Sequence, residues 1–305
     1  MKIIYGYPSE KSDLSSVLTF GNFDGVHLGH KSIINTVKNI SIKEDVASAI
    51  ITFAPHPAEY LHGRKNFLLL NFEQKIELLQ SYEIDYLYII DFNQSFSQLS
   101  PDDFIKDVLV SSCNVKYIVT GHNCFFGYKC LGNVDLLYAY ADIYNYEVVQ
   151  INPVFINDDI LCSSSLIREC LSEGKLDLAN KILGRPYQIS GKVIRGLARG
   201  RIIGFPTINV AIEHMLPKVG VYSACVKINN TTTWLNGIVN IGLRPTFGDL
   251  NVPILEMHIF DFSDDIYDQY VTIQLLDFIR PERKFDTVDQ LKRQINNDIV
   301  QVKKI

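Results

Sequence analysis

The hydrophobic pattern changes period once along this chain, at Leu183-Gly184-Arg185-Pro186, and that change constrains the fold on both sides of it. Before it, apolar runs at 16–20, 46–53, 85–91, 115–121 and 147–151 alternate with segments whose apolar residues recur at helical spacing. Continuous apolar runs separated by helices are the pattern of parallel strands buried on both faces, so this part reads as an α/β domain with a Rossmann-like parallel sheet. After it, segments at 188–195, 219–228, 233–241, 254–261 and 270–278 follow a period of two, and a last helix is expected at about 288–299. That predicts a small antiparallel β-barrel with a terminal helix. The expected domains are 1–185 and 186–305, and 305 residues suffice for two separate cores.

A formal net charge of −5 argues against broad binding to nucleic acid or anionic membranes, while leaving room for small anionic ligands in local basic pockets. The first eight residues lack a signal-peptide core, and no apolar stretch approaches the ~20 residues that span a bilayer. A cytoplasmic location is expected, with small molecules rather than nucleic acid or membrane as partners; the oligomeric state stays open. Six cysteines, at 113, 124, 130, 162, 170 and 225, form no Cys-x-x-Cys pair and read as reduced thiols.

The chemistry of the first part concentrates where strands end. The run 16–20 leads into Gly21-Asn22-Phe23-Asp24-Gly25-Val26-His27-Leu28-Gly29-His30, with helical spacing beyond. His27 and His30 then stand at a helix start, where free N–H groups and the helix dipole favour phosphate and imidazoles can donate to charge developing in transfer. Gly21, Gly25 and Gly29 permit close backbone approach. After the next strand, Pro55-His56-Pro57 fixes a loop around one histidine. Gly121 to Gly127 carries Asn123, Phe125 and Phe126, suited either to hold a flat heterocycle or to plug the core. Ser163, Ser164 and Ser165 open another helix with Arg168 one turn in, a second phosphate cradle. Ser100-Pro101-Asp102-Asp103 reads as a helix start without functional content.

In the second part, the basic glycine loop from Gly196 through Gly200, Arg201 and Gly204 suits a polyphosphate. It runs through Phe205 and Pro206 into Thr207 and Asn209, which share one face of an extended chain and offer two oxygen ligands. Mg²⁺ takes few protein ligands when substrate phosphates supply the rest, so this pair is its candidate site. Alternation in Leu255-Glu256-Met257-His258-Ile259 puts Glu256 and His258 on one face, making Glu256 a candidate general base for an attacking hydroxyl.

These motifs also carry a resemblance. Gly-Asn-Phe-Asp-Gly-Val-His-Leu-Gly-His, His56-Pro57, 121–127 and the serine run ending in Arg168 resemble the nucleotidyltransferase module of prokaryotic bifunctional riboflavin kinase/FAD synthetases. Gly204 to Asn209, Gly220-Val221-Tyr222, Asn240 to Phe247, Glu256-Met257-His258 and Ile279 to Phe285 are similar to riboflavin kinase. The resemblance implies ATP-dependent phosphorylation of riboflavin to FMN, then adenylylation of FMN to FAD, with ATP as co-substrate and Mg²⁺ required. It assigns Thr207 and Asn209 to the metal and Glu256 to the base. His27, His30 and Arg168 would act in adenylyl transfer, and the residues from Gly21 to Gly25, Gly29 and Ser163 to Ser165 would meet ATP phosphates. His56, Pro57, Asn123, Phe126, Arg280 and Phe285 would lie near flavin. Cys124-Phe125 and Asp268 depart from the family pattern, which often has Gly at the latter position.

Overall fold

The computed structural model describes residues 1–8, 14–196, 199–212, 214–229, 231–245 and 251–303. Leu197 and Ala198 of the glycine loop, and Thr246 and Phe247 of the second motif set, lie outside the described residues. Contacts divide the chain into two compact units, one of Met1–Lys65 with Phe72–Ser163, the other of Asn66–Asn71 with Ser164–Ile305.

The first unit is a six-stranded parallel sheet. Strands β1 (Lys2–Tyr5), β2 (Ser16–Phe20), β3 (Ala47–Ala54), β4 (Tyr86–Asp91) and β5 (Val115–Gly121) are joined by Glu147–Ile151 in the order β1-β4-β3-β2-β5-(Glu147–Ile151). Val17, Leu18, Ala49, Ile50, Ile51, Ile118 and Val119 are wholly buried, as continuous apolar runs demand when helices cover both faces. Edge strand β1 escapes the sequence reading because only four residues form it, and both its ends are exposed. The Ser100 expectation holds: its Oγ accepts from Asp103 N at 3.0 Å. The helix so started becomes a π-helix over Phe104–Ser112, burying Phe104, Ile105, Val108 and Leu109.

The second unit is built on a closed six-stranded barrel. Its order around the wall is Tyr187–Ile194, Ile208–Ala211, Asn251–Ile259, Leu235–Pro245, Gly220–Ile228 and Tyr270–Arg280. Five of these strands follow the period-two segments; Ile208–Ala211 closes the barrel by pairing antiparallel with strands on both sides. Leu255, Met257 and Ile259 point inward and are buried, while Glu256 and His258 are partly exposed, as the alternation predicts. The final helix, Val288–Val302, is capped by Thr287, whose Oγ1 accepts from Gln290 N at 3.2 Å. The glycine loop is less open than expected, because Arg199–Ile203 forms a short helix within it. Asp268 adopts φ 66°, the left-handed region where glycine is least strained, which accounts for a glycine preference there.

Candidate active sites

In the first unit, β3, β2 and β5 are adjacent and parallel, so the 55–57 loop, the 21–30 turn and the 121–127 loop emerge side by side at one sheet edge. The turn is tight: Phe23, Gly25 and Val26 have φ of 48°, 84° and 41°. It is also sunk into the fold, with Phe23, Asp24 and His27 at 2%, 4% and 6% exposure. Thr52 at the end of β3 donates from Oγ1 to Asn22 O at 3.3 Å, holding the turn against the sheet.

Helix α1 (Leu28–Glu44) begins as the spacing predicts, with one correction. Gly29 N and His30 N are not left open for phosphate, since both donate to His27 Nδ1, at 3.1 and 3.4 Å. A ring nitrogen that accepts carries no proton, so His27 is the Nε2–H tautomer and its donor is Nε2. The His27 and His30 rings stack with centroids 3.7 Å apart, and Phe23 meets His30 edge-on at 5.2 Å. Gly29 also lies against the backbone that leads to Ser163: a Cβ there would stand 3.4 Å from Cys162 O.

His56 caps the short helix α2 (Pro57–His62). Its Nδ1 accepts from Ala58 N at 3.0 Å, and Glu59 Oε2 accepts from His56 N at 3.0 Å. In the 121–127 loop the two aromatic rings part. Phe126 is 7% exposed and packs on Phe20 and Phe104, both at 5.5 Å, so it plugs the core rather than facing a ligand. His122, Asn123 and Phe125, the last at 64%, are its exposed members. Ser164, Ser165 and Arg168 group with the second unit, where Arg168 Nε donates to Phe67 O at 2.9 Å and its guanidinium covers the Phe67 ring.

One residue of this edge was invisible in the sequence. Lys75, on helix α3 (Phe72–Gln80), is 8% exposed, and its Nζ donates to Thr52 Oγ1 at 3.2 Å and Phe53 O at 3.3 Å. Burial pulls its pKa down to about 8, against the opposing charges of Asp24 and Glu59. A lysine at one position of an amphipathic helix carries no signal of burial, so spacing gave no means of finding it.

In the second unit, the barrel register assembles a polar row. Glu256 pairs with Asn209 on one side and Asn240 on the other. Gly196 packs on Asn209, where a Cβ would lie 2.3 Å from Nδ2, and Gly200 packs on Phe205 and Thr207, where one would lie 2.3 Å from Phe205 O and 3.1 Å from Thr207 Oγ1. The glycine loop is thus moulded around the Thr207–Asn209 pair, leaving a cradle that any side chain would fill. His258 Nδ1 is 2.7 Å from Pro206 O, and its ring meets Phe205 edge-on. Beside Thr207 a cleft of about 310 Å³ is lined by Arg201, Pro206, Asp264, Asp265 and Tyr267 among others. Oxygen donors in a preformed cradle fit a hard cation such as Mg²⁺. Among the described residues, no cluster of three or more His, Cys, Asp or Glu side chains offers a different metal site.

Arg280 is placed otherwise than at an open ligand surface. It makes three bonds of 2.8 to 3.1 Å to the carboxylate of Asp298, itself 3% exposed, on the final helix. The guanidinium groups of Arg280 and Arg283 each lie over the Phe285 ring, at 5.9 and 4.7 Å.

Two family models match the chain, FAD synthetase over residues 9–165 and riboflavin kinase over 183–305. Bifunctional riboflavin kinase/FMN adenylyltransferases are 38% identical in Buchnera aphidicola of Schizaphis graminum, covering 100% of this chain and 98% of that protein, and 36% identical in Haemophilus influenzae, covering 98% and 97%. The chain belongs to the bifunctional riboflavin kinase/FMN adenylyltransferase family. It uses ATP to phosphorylate riboflavin to FMN, and ATP again to adenylylate FMN to FAD with release of pyrophosphate. A solved chain from Streptococcus pneumoniae described as a macrolide-efflux protein has the same fold, with a TM-score of 0.89 at 30% identity over 99% of both chains. Among the described residues, no helix is long and apolar enough to cross a membrane.

Proposed function

We propose that adenylyl transfer is carried by residues 1–185 and riboflavin phosphorylation by residues 186–305, each with its own constellation. The observation that weighs most is the cross-strand row Asn209–Glu256–Asn240, bordered by glycines packed on Asn209 and Thr207. The Glu256 carboxylate accepts the proton of the ribityl hydroxyl as that oxygen attacks the γ-phosphorus of ATP, and ADP leaves. Thr207 and Asn209 would hold Mg²⁺ with the nucleotide, the ion neutralising charge on the phosphates. Gly196, Gly200, Arg201, Gly204, Phe205 and Pro206 form the loop that receives the polyphosphate. Arg280 acts by fixing Phe285 and the final helix.

In the first unit, a phosphate oxygen of FMN attacks the α-phosphorus of ATP and pyrophosphate departs, so no protein nucleophile is needed. His27, through Nε2–H, and His30 donate to oxygens on which charge grows. The 21–25 turn and Ser163 hold phosphate, while His56, Pro57 and Asn123 border the flavin. The exposed ring of Phe125 supports a stacking role for it in place of Phe126. The absence of a long apolar helix among the described residues and the acidic balance support a cytoplasmic enzyme acting on small molecules.

The test is flavin chromatography after incubation with ATP and Mg²⁺, starting from riboflavin or from FMN. His30→Ala is expected to slow FAD formation by about 100-fold or more while sparing FMN formation. Glu256→Gln is expected to slow FMN formation by about 100-fold or more while sparing FAD formation from supplied FMN. Loss of both steps from either substitution in a folded protein would refute separate sites.

A further inference from the structure

Lys75 lies where three parts of the first unit's edge meet. Its Nζ donates to Thr52 Oγ1, and Thr52 Oγ1 in turn donates to Asn22 O, so a relay of hydrogen bonds runs from helix α3 through the end of β3 into the Asn22–Asp24 turn. A second bond, to Phe53 O, fixes the last turn of strand before the loop that carries His56. The charged groups that face it are Asp24 from the turn and Glu59 from α2, and Glu59 is the residue whose carboxylate caps His56. A buried ammonium bonded to neutral oxygens is costly in water-free surroundings, and the fold retains it at the junction of the phosphate turn and the histidine loop.

We propose that Lys75 is a positioning residue for adenylyl transfer, its buried ammonium holding the Asn22–Asp24 turn and the His56 loop in one arrangement. The proposal rests on the placement of adenylyl transfer in the first unit. The neutral amine keeps N–H groups for Thr52 and Phe53 but has no charge to answer Asp24 and Glu59, so alkaline pH loosens the arrangement. Because burial brings the lysine pKa down to about 8, this loosening falls within reach of assay.

The experiment measures FAD formation from FMN between pH 6.5 and 9.5 in the full chain, alongside FMN formation from riboflavin as an internal control of folding. The wild type is expected to lose about tenfold in adenylylation rate between pH 7 and 9. Lys75→Met should be at least tenfold slower at pH 7 and show no such alkaline limb, with riboflavin phosphorylation unchanged. Glu59→Gln removes one of the two charges that favour the ammonium, so its limb should move to lower pH. The Lys75 13Cε resonance, assigned by its loss in Lys75→Met, or by its shift in Glu59→Gln should the Met variant not fold, should titrate with the same midpoint as the rate. A wild-type profile in Lys75→Met, or a Lys75 resonance unmoved across the pH range in which the rate falls, overturns the proposal. His30→Ala in parallel separates the two readings: a normal rate there beside a slow Lys75→Met displaces the histidine assignment alone.

Discussion

His214 is 2% exposed in the second unit and accepts from Ser190 N through Nε2 at 3.2 Å. Burial lowers its pKa to about 4, from an ordinary value of about 6.5. Between those values the unfolded chain binds the proton and the folded one does not, so stability is full above about pH 6.5 and falls as pH drops toward 4. The integrated effect is of the order of 3 kcal/mol. Thermal melts at pH 7.5, 6 and 5 should therefore fall more steeply for the wild type than for His214→Gln, which keeps an acceptor without a titrating ring. Residues of this kind also mark where reading the sequence succeeds. Glu256 and Asn209 were placed on the proper faces because strand alternation is a geometric rule. Phe126 was misread because nothing in a short loop distinguishes a ring that faces a ligand from one that fills the core. Lys75 was missed because burial of a cation depends on residues far away in sequence: Asp24, Thr52 and Glu59.

Among the elements, the final helix shows how one polar contact can fasten an otherwise exposed segment. Val288–Val302 has Asp298 as its one buried residue, bonded to Arg280 at the end of the Tyr270–Arg280 strand, with Gln294 reinforcing it at 2.5 Å. Removing one partner of a buried pair leaves the other charge uncompensated, so Asp298→Ala should destabilise the second unit by about 3–5 kcal/mol. Urea unfolding should show this as a lower midpoint for the second unit, with riboflavin phosphorylation impaired before FAD formation from FMN. The helix and five barrel strands were legible because long periodic segments declare themselves. Ile208–Ala211 was not named as a strand, since four residues are too few to show a period, although its Asn209 was read correctly as extended chain. The short helix Arg199–Ile203 escaped because glycines on either side read as loop.

For the whole molecule, the proposed placement of the two chemistries in separate units would have a direct kinetic consequence. A mixture of His30→Ala and Glu256→Gln chains should convert riboflavin to FAD, although neither alone does so, because FMN released by the first can be taken up by the second. Failure of the mixture, with each single variant retaining its expected partial reaction, would mean that FMN does not pass through solution. The units themselves are not consecutive stretches of chain. Asn66–Asn71 belongs with the second unit although its neighbours on both sides belong to the first. Within that unit Phe67 O receives Arg168, Leu68 O receives Met215 N at 2.8 Å, and Asn71 Nδ2 donates to Tyr270 Oη at 2.7 Å. A genetic crossover that exchanged everything after residue 185 for a relative's sequence would therefore bring in a barrel evolved against a different six-residue strap. Inheritance of the two halves of the chain is coupled at this strap.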